Sequence, residues 1–529
     1  MKKLVMLFLS IMLLFSFSIP LSATEGKVNS TSIPDPILFK EETLQSISGK
    51  ANNGNNETPG EWYIGTAPSN PVANAPVLLF VPGLNNVAQV FWEDNDMYQT
   101  AVNAGYQTAF VQLYDAGGAS ADMWNNGVLL ADKIREISNY FGKPITIVAY
   151  SKGGVDSQTA LTYYGAWPYV QNVITLSSPH HGSQLADLAY SSSAGWLADL
   201  IGAKGDGTYS MQMAYMADYR SQTDGQSRAY YNDYYTLGGT GWGSAFSSTW
   251  YGGMYLSQYG SNDGVVTTVS SRLPGGQQVA IENWNHTSIR TGVTFPVYDN
   301  YLSDNTYYGN KLMNTIDEST DKITPNHNQW VDGGPLHAEK ETDILITVED
   351  HVQELSLNLM TSSDIADVKL ISPSGKVITP NIQSKKLEDG IFLGALNTTI
   401  SVKKPPAGKW KLELTPKEDD AYLLVANYET PNKLLHSNQS PIKDSAKINY
   451  QVISNIDLLQ EKTLKATYTV AQSSNPSNSK TILAKENLSK VLTFEHSKEV
   501  YNITIEVEGI TKNGNPFKRT IIDSVYIPE

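Results

Sequence analysis

Ser151 stands in Ala149-Tyr150-Ser151-Lys152-Gly153-Gly154, with small residues two before and two after it. The continuous apolar run Ile145-Thr-Ile-Val-Ala149 leads into it, and Val155 to Tyr164 follows with helical character. That context predicts a sharp strand-to-helix turn with the serine at its apex, where crowding backbone demands small neighbours. The helix start beyond it offers N–H groups and a positive dipole end, which favour a developing oxyanion. The chemistry implied is nucleophilic attack on a carbonyl carbon. An ordinary serine in a turn is the plain alternative, and the strand–Ser–helix context argues against it.

A serine hydroxyl is a poor nucleophile without a base. Three of the eight histidines, His180, His181 and His286, lie in the segment of strand–helix alternation. A strand-turn-helix nucleophile goes with the chain order serine, acid, histidine. His180 and His181 follow the next strand after Ser151 and leave no room for an acid loop, so they read as structural. His286, in Asn283-Trp-Asn-His-Thr287 after the late strand Gln278–Ile281, reads as the base. Asp263, in the turn Gly260-Ser-Asn-Asp-Gly-Val-Val266, is the best acid, because its carboxylate could accept the Nδ1–H of His286. Of its rivals, Asp233 precedes the strand Tyr234–Leu237 and so sits at the wrong end; Asp224 lies further still from the catalytic edge. The oxyanion hole needs two N–H donors. They are assigned to Lys152 and to Leu84 in Pro82-Gly-Leu-Asn-Asn86, where Gly83 permits close backbone approach.

The elements that must position these residues alternate between strand and helix. Val77–Val81, Thr108–Leu113, Ile145–Ala149 and Val173–Leu176 read as strands buried on both faces. Val128–Tyr140 carries Leu129, Leu130, Ile134 and Ile137 at helical spacing. The pattern predicts an α/β fold, a mostly parallel sheet flanked by helices. Beyond residue 340 the segments shorten, and turns such as Pro373-Ser-Gly375 and Pro405-Pro-Ala-Gly408 punctuate them, a β-sandwich signature.

These motifs, in this order, resemble those of bacterial secreted lipases and esterases of the α/β-hydrolase superfamily. The Ala-x-Ser-x-Gly-Gly elbow at 149–154 is similar to that of small Bacillus lipases. Ser178-Pro-His-His-Gly-Ser183 and Asn262-Asp-Gly-Val-Val266 resemble segments of larger bacterial lipases. The resemblance spans roughly residues 75–295. It implies an α/β-hydrolase fold and a Ser151–His286–Asp263 triad acting on carboxylic esters through an acyl-enzyme. Two positions depart from it. Pro82 replaces the usual histidine, so that residue's brace on the oxyanion loop is absent. Ser288 replaces an aspartate that ligates calcium in the larger lipases. This chemistry requires no cofactor; a structural calcium ion elsewhere stays open. Residues 341–427 resemble pre-peptidase C-terminal or convertase P-type β-sandwiches through Ile371-Ser-Pro-Ser-Gly375 and Gly408-Lys-Trp410.

The expected organisation is a signal peptide over 1–23, a flexible lead-in or pro-segment over 24–58, and a catalytic domain over 59–304. A linker over 305–338, a β-sandwich over 339–432 and a second sandwich-like domain over 433–529 follow. Lys2-Lys3, the apolar run to Phe17 and Ala23 carry the export reading, which implies a secreted, extracellular protein with no membrane span in the mature chain. There is no cysteine, so stability must come from the cores and not from disulfides. The net charge of −15 argues against nucleic acid and anionic membranes as partners. Ten tyrosines with Trp242, Phe246 and Trp250 lie between Thr208 and Gly260. They are read as a substrate-binding aromatic surface for a water-insoluble lipid or polyester, against the plainer reading of a Tyr-rich insertion. A lipase is the first functional expectation, and a polyhydroxyalkanoate depolymerase with the same triad is the second. An inactive hydrolase-fold surface-binding protein is the third. Nothing in the sequence bears on oligomeric state.

Overall fold

A computed structural model of the chain describes residues 33–39, 57–116, 120–245, 247–303, 325–378, 384–388, 390–441, 446–495 and 498–528. The expected signal peptide, residues 305–324 of the expected linker, and Phe246 lie outside the described residues.

The catalytic half is built on an eight-stranded sheet. Its strands are β1 (Ile37–Leu38), β2 (Trp62–Ile64), β3 (Val77–Val81), β4 (Thr108–Val111), β5 (Ile145–Tyr150), β6 (Val170–Leu176), β7 (Asp233–Gly239) and β8 (Gln277–Glu282). Their order is β1-β2-β4-β3-β5-β6-β7-β8. Strands β3 to β8 run parallel, and β1 and β2 pair antiparallel beyond β4. Every residue of β3, β4 and β5 is buried, as expected of strands covered on both faces. The first helices are α1 (Met97–Asn103), α2 (Met123–Phe141) and α3 (Lys152–Tyr163). Asp122 caps α2 by accepting the Asn125 amide at 2.8 Å, and Gly142, in the left-handed region, ends it. Leu130, Ile134 and Ile137 of α2 share one apolar core with Leu161 of α3 and Val77, Leu79 and Ile147 of the sheet.

The chain runs from β3 outward to β4, then returns to lay β5 on the other side of β3. Such a switch point opens a crevice beyond the carboxyl ends of the two central strands, where ligands bind in open α/β sheets. Here those ends are Pro82-Gly83-Leu84 after β3 and Ser151 after β5.

Five more helices lie between β6 and β8: α4 (Gln184–Ala189), α5 (Gly195–Leu200), α6 (Asp206–Ser210), α7 (Met213–Thr223) and α8 (Ser248–Leu256). From Gln329 on, the described residues form antiparallel sheets. A four-stranded and a five-stranded sheet between Gln329 and Glu429 enclose one core around Trp330, Trp410 and Tyr428. A three-stranded and a four-stranded sheet between Leu435 and Ile527 enclose a second, around Tyr450, Tyr468 and Ile505.

Two boundaries differ from expectation. Residues 37–38 of the expected lead-in form β1, and Phe39 stacks on buried Trp62 at 4.4 Å. An aromatic anchor and a two-residue strand thus place residues 37–39 against the sheet, within a lead-in whose composition reads as polar. Residues 329–336, placed in the expected linker, form β9 (Gln329–Leu336), paired along its whole length with the strand Asp420–Glu429. Its Asp-Gly-Gly-Pro sequence hides a strand whose buried residues are Gln329, Trp330, Val331, Gly334 and Leu336.

Candidate active site

Ser151 has φ 53° and ψ −133°, a strained backbone for a residue with a Cβ. The surroundings hold it there. Its amide donates to the Leu176 carbonyl at 2.9 Å, and its own carbonyl accepts from the Gly154 amide at 3.0 Å. The glycine requirement is steric. A Cβ on Gly83 would lie 2.7 Å from the Ser151 Cβ, and one on Gly153 would lie 2.4 Å from the Pro82 carbonyl oxygen. The loop after β3 therefore packs directly on the serine turn, as an oxyanion loop must.

The three residues chosen from sequence meet in space. His286 Nε2 lies 3.0 Å from Ser151 Oγ, and His286 Nδ1 lies 2.6 Å from Asp263 Oδ2. All three side chains are buried. The Asp263 carboxylate also accepts the amides of Val265 at 2.9 Å and Val266 at 2.8 Å, and its backbone carbonyl accepts the His286 amide at 2.9 Å. An acceptor fixed at Nδ1 keeps the proton there and leaves Nε2 free to accept from the serine. The Tyr150 ring sits 4.9 Å from the imidazole, and its hydroxyl accepts from Arg290 Nη1 at 2.9 Å. The arrangement can draw a proton from Ser151 Oγ to Nε2 as the oxygen attacks.

His180 and His181 do not join this chain. His180 is fully buried with Nε2 3.4 Å from Thr175 Oγ1; burial, with Arg220 and His181 nearby, holds it well below the ordinary imidazole range. Burial and then Arg220 push His181 down to about 4. The rival acids are elsewhere: Asp233 begins β7, and Asp224 pairs with Arg220 at 3.4 Å. Ser288 bonds Asn285, its amide donating to Asn285 Oδ1 at 2.7 Å.

No family model matches the sequence, and neither does any curated protein. Among solved structures, the lipase BlEst2 of Bacillus licheniformis in its propeptide form is 33% identical, over 89% of this chain and 98% of that one, with a TM-score of 0.77. This chain belongs to the family of that lipase. The mature form of BlEst2 is 44% identical over 46% of this chain and 99% of that one, with a TM-score of 0.44. A metagenomic carboxyl esterase, MGS0156, is 19% identical over 44% and 77%, with a TM-score of 0.35. The chain is thus an α/β-hydrolase with C-terminal β-sheets, and a serine ester hydrolase.

The expected oxyanion residues, Leu84 and Lys152, line one cavity with Ser151 and His286. Of the expected aromatic surface, Trp242 and Trp250 are described. Trp250 is half-buried against the apolar core beside Tyr251, and Trp242 packs over Gly253; neither lines that cavity. Residues 213–223 and 248–256 are α7 and α8, so the tyrosines are spent largely on packing and not on an open surface. Tyr219, Tyr251 and Tyr255 are buried.

Two features of this hydrolase had no sequence forecast. Lys152, whose backbone amide was the forecast donor, buries its ammonium completely between Asp156, at 2.9 Å, and Asp115, at 3.4 Å. Burial pushes the ammonium down, but the two carboxylates outweigh it and hold the lysine above its ordinary value. Burial raises Asp156 to about 7 against the opposing pull of Lys152. The i,i+4 spacing of Lys152 and Asp156 on a buried helix was the available signal. The second feature is a cover. Gly390 and Ile391 of the first sandwich line the same cavity as Ser151, and the space left is about 30 Å³, room for at most a few waters.

Proposed function

We propose that this chain is a secreted carboxylic-ester hydrolase, of lipase type, that uses Ser151, His286 and Asp263 as a triad. The unbroken hydrogen-bonded line from Asp263 through His286 to Ser151 carries the reading. Ser151 Oγ attacks the ester carbonyl while His286 Nε2 takes its proton. The carbonyl oxygen becomes an oxyanion facing the Leu84 and Lys152 amides. The tetrahedral intermediate collapses, His286 gives the proton to the departing alkoxide, and an alcohol leaves an acyl-Ser151. Water repeats the sequence, releasing the acid and restoring the serine. The chain and water supply every group these steps need.

The C-terminal sheets act, in this proposal, as a propeptide that covers the site. The relative that corresponds along nearly its full length is in a propeptide form. In this chain Ile391 and Phe392 are each 5% exposed, in one apolar cluster with Leu185, Tyr251 and Tyr255 of the catalytic half. Lys2-Lys3 and the apolar run after them support export. Beside Ser151 the catalytic half contributes Leu84, Met211, Val265 and Val266, an aliphatic lining that favours a lipid acyl chain over a polyester surface.

Release of acid from tributyrin, from p-nitrophenyl butyrate and from a polyhydroxybutyrate film tests the reading, before and after limited proteolysis. Turnover of the first two, rising on proteolysis and absent from Ser151→Ala, is expected. Clearing of the film alone would establish the polyester reading instead.

A further inference from the structure

Pro82 offers the oxyanion loop no side-chain donor, and the structure shows a brace from elsewhere. Asp115 follows β4 and is completely buried. Its Oδ1 accepts the Asn85 backbone amide at 3.3 Å, and its Oδ2 faces Lys152 Nζ at 3.4 Å. One carboxylate therefore holds both strips of chain that offer oxyanion donors, the loop at Leu84-Asn85 and the start of α3 at Lys152. Asn126 fixes the carboxylate in turn. Its Nδ2 donates to Asp115 Oδ2 at 2.5 Å and to Asp156 Oδ2 at 3.0 Å, and its Oδ1 accepts the Tyr114 amide at 3.1 Å. The loop itself is tightly wound. Asn85 has φ 56°, the Asn86 amide donates to the Gly83 carbonyl at 3.2 Å, and Asn86 Nδ2 donates to the Leu84 carbonyl at 2.8 Å. Holding the Asn85 amide thus fixes the peptide plane that joins Leu84 to Asn85, one residue beyond the Leu84 N–H.

We propose that Asp115 is a positioning residue for the oxyanion hole, holding the Leu84 loop and the Lys152 turn at one spacing. It touches neither ester nor triad. Among the described residues Asp156, the second partner of Lys152, bonds only α3 and Asn126, so its role is charge balance and not loop position. The proposal rests on the reading that Ser151 attacks an ester.

The test uses the full chain, both as wild type and with Ile391→Ala and Phe392→Ala to open the cover. It measures p-nitrophenyl acetate kinetics per serine titrated with diethyl p-nitrophenyl phosphate, and inhibition by butylboronic acid, whose tetrahedral adduct carries an oxyanion-like oxygen. Asp115→Ala is expected to lower kcat by about 30- to 100-fold, the scale of a misplaced oxyanion donor. KM should stay within about twofold, and boronate affinity should fall by the same factor as kcat. Asp115→Asn keeps one acceptor for the Asn85 amide but turns an NH2 toward the Lys152 ammonium and the Asn126 NH2, so its kcat is expected between those of Asp115→Ala and wild type. Asp156→Asn should leave kcat within about threefold.

Three results would overturn the proposal. They are a kcat for Asp115→Ala within about threefold of wild type, a kcat loss without loss of boronate affinity, and a loss in Asp156→Asn as large as that in Asp115→Ala. Retained turnover in Ser151→Ala would instead remove the underlying reading, so the two failures are distinguishable.

Discussion

Truncating Ile391 should expose Ser151. The residue is 5% exposed and lines both the cavity at the serine and a second apolar cavity beside it. Ile391→Ala removes three carbons from that contact. At ~0.8 kcal/mol per buried CH₂ the closed arrangement loses about 2.4 kcal/mol relative to an open one. Since ~1.4 kcal/mol is tenfold in an equilibrium constant, the open population rises about 50-fold. With about 30 Å³ at Ser151 beneath Ile391, we expect an ester to reach the serine through the open population. The second-order rate of serine labelling by a fluorophosphonate, followed in the full chain, should therefore rise by about that factor. Leu345→Ala, on an exposed position of the same sandwich, is the control and should change nothing. A labelling rate for Ile391→Ala within threefold of wild type would refute the reasoning, because it would mean that Ile391 does not limit access.

Asp263→Asn removes the acceptor that fixes the His286 tautomer, and kcat should fall by about 10³- to 10⁴-fold with the thermal midpoint little changed, measured on p-nitrophenyl butyrate; a loss below tenfold contradicts the assignment. Arg519 and Glu349 form a completely buried ion pair, with the guanidinium 4.1 Å from the Tyr428 ring centroid. Arg519→Ala leaves the Glu349 carboxylate uncompensated and should cost about 3–5 kcal/mol in urea unfolding, whereas a cost below ~1 kcal/mol would show that water reaches the pair. His327, buried with Nε2 2.8 Å from Ser437 Oγ, is pushed down to about 4 by burial and then by His436. A folded pKa below the unfolded value near 6.5 means that its contribution is present above that value and is lost as pH falls through 4. The thermal midpoint should therefore fall less steeply from pH 6.5 to 4 in His327→Gln than in wild type; parallel slopes would refute this.

The catalytic half was legible because its chemistry is local. A strand, a serine and a helix within residues 145–163 define the turn, and chain order then selects Asp263 and His286. The glycines say the same thing in steric terms: positions 83 and 153 have no room for a Cβ. Three parts were not legible, each for a physical reason. Asp115, Asn126 and Asp156 carry no motif, because their roles depend on burial that only the folded sheet creates. The surroundings of Trp242 and Trp250 could not be read, because aromatic composition does not distinguish packing from exposure. In the fold Trp250 packs on a core that Leu387, Ile391 and Phe392 of the sandwich complete. The same contact explains the third: a cover over the active site joins Ile391 to Ser151, residues far apart in the chain, and no local pattern encodes it.

Mapping the labelled residue by mass spectrometry, after exhaustive reaction with a fluorophosphonate, tests the central claim most directly. The account predicts one adduct per chain, on the peptide that holds Ser151. That adduct should form at least ~10³-fold more slowly in His286→Ala, and both it and all ester turnover should be absent from Ser151→Ala. An adduct on another serine, or undiminished ester hydrolysis by Ser151→Ala, would contradict it.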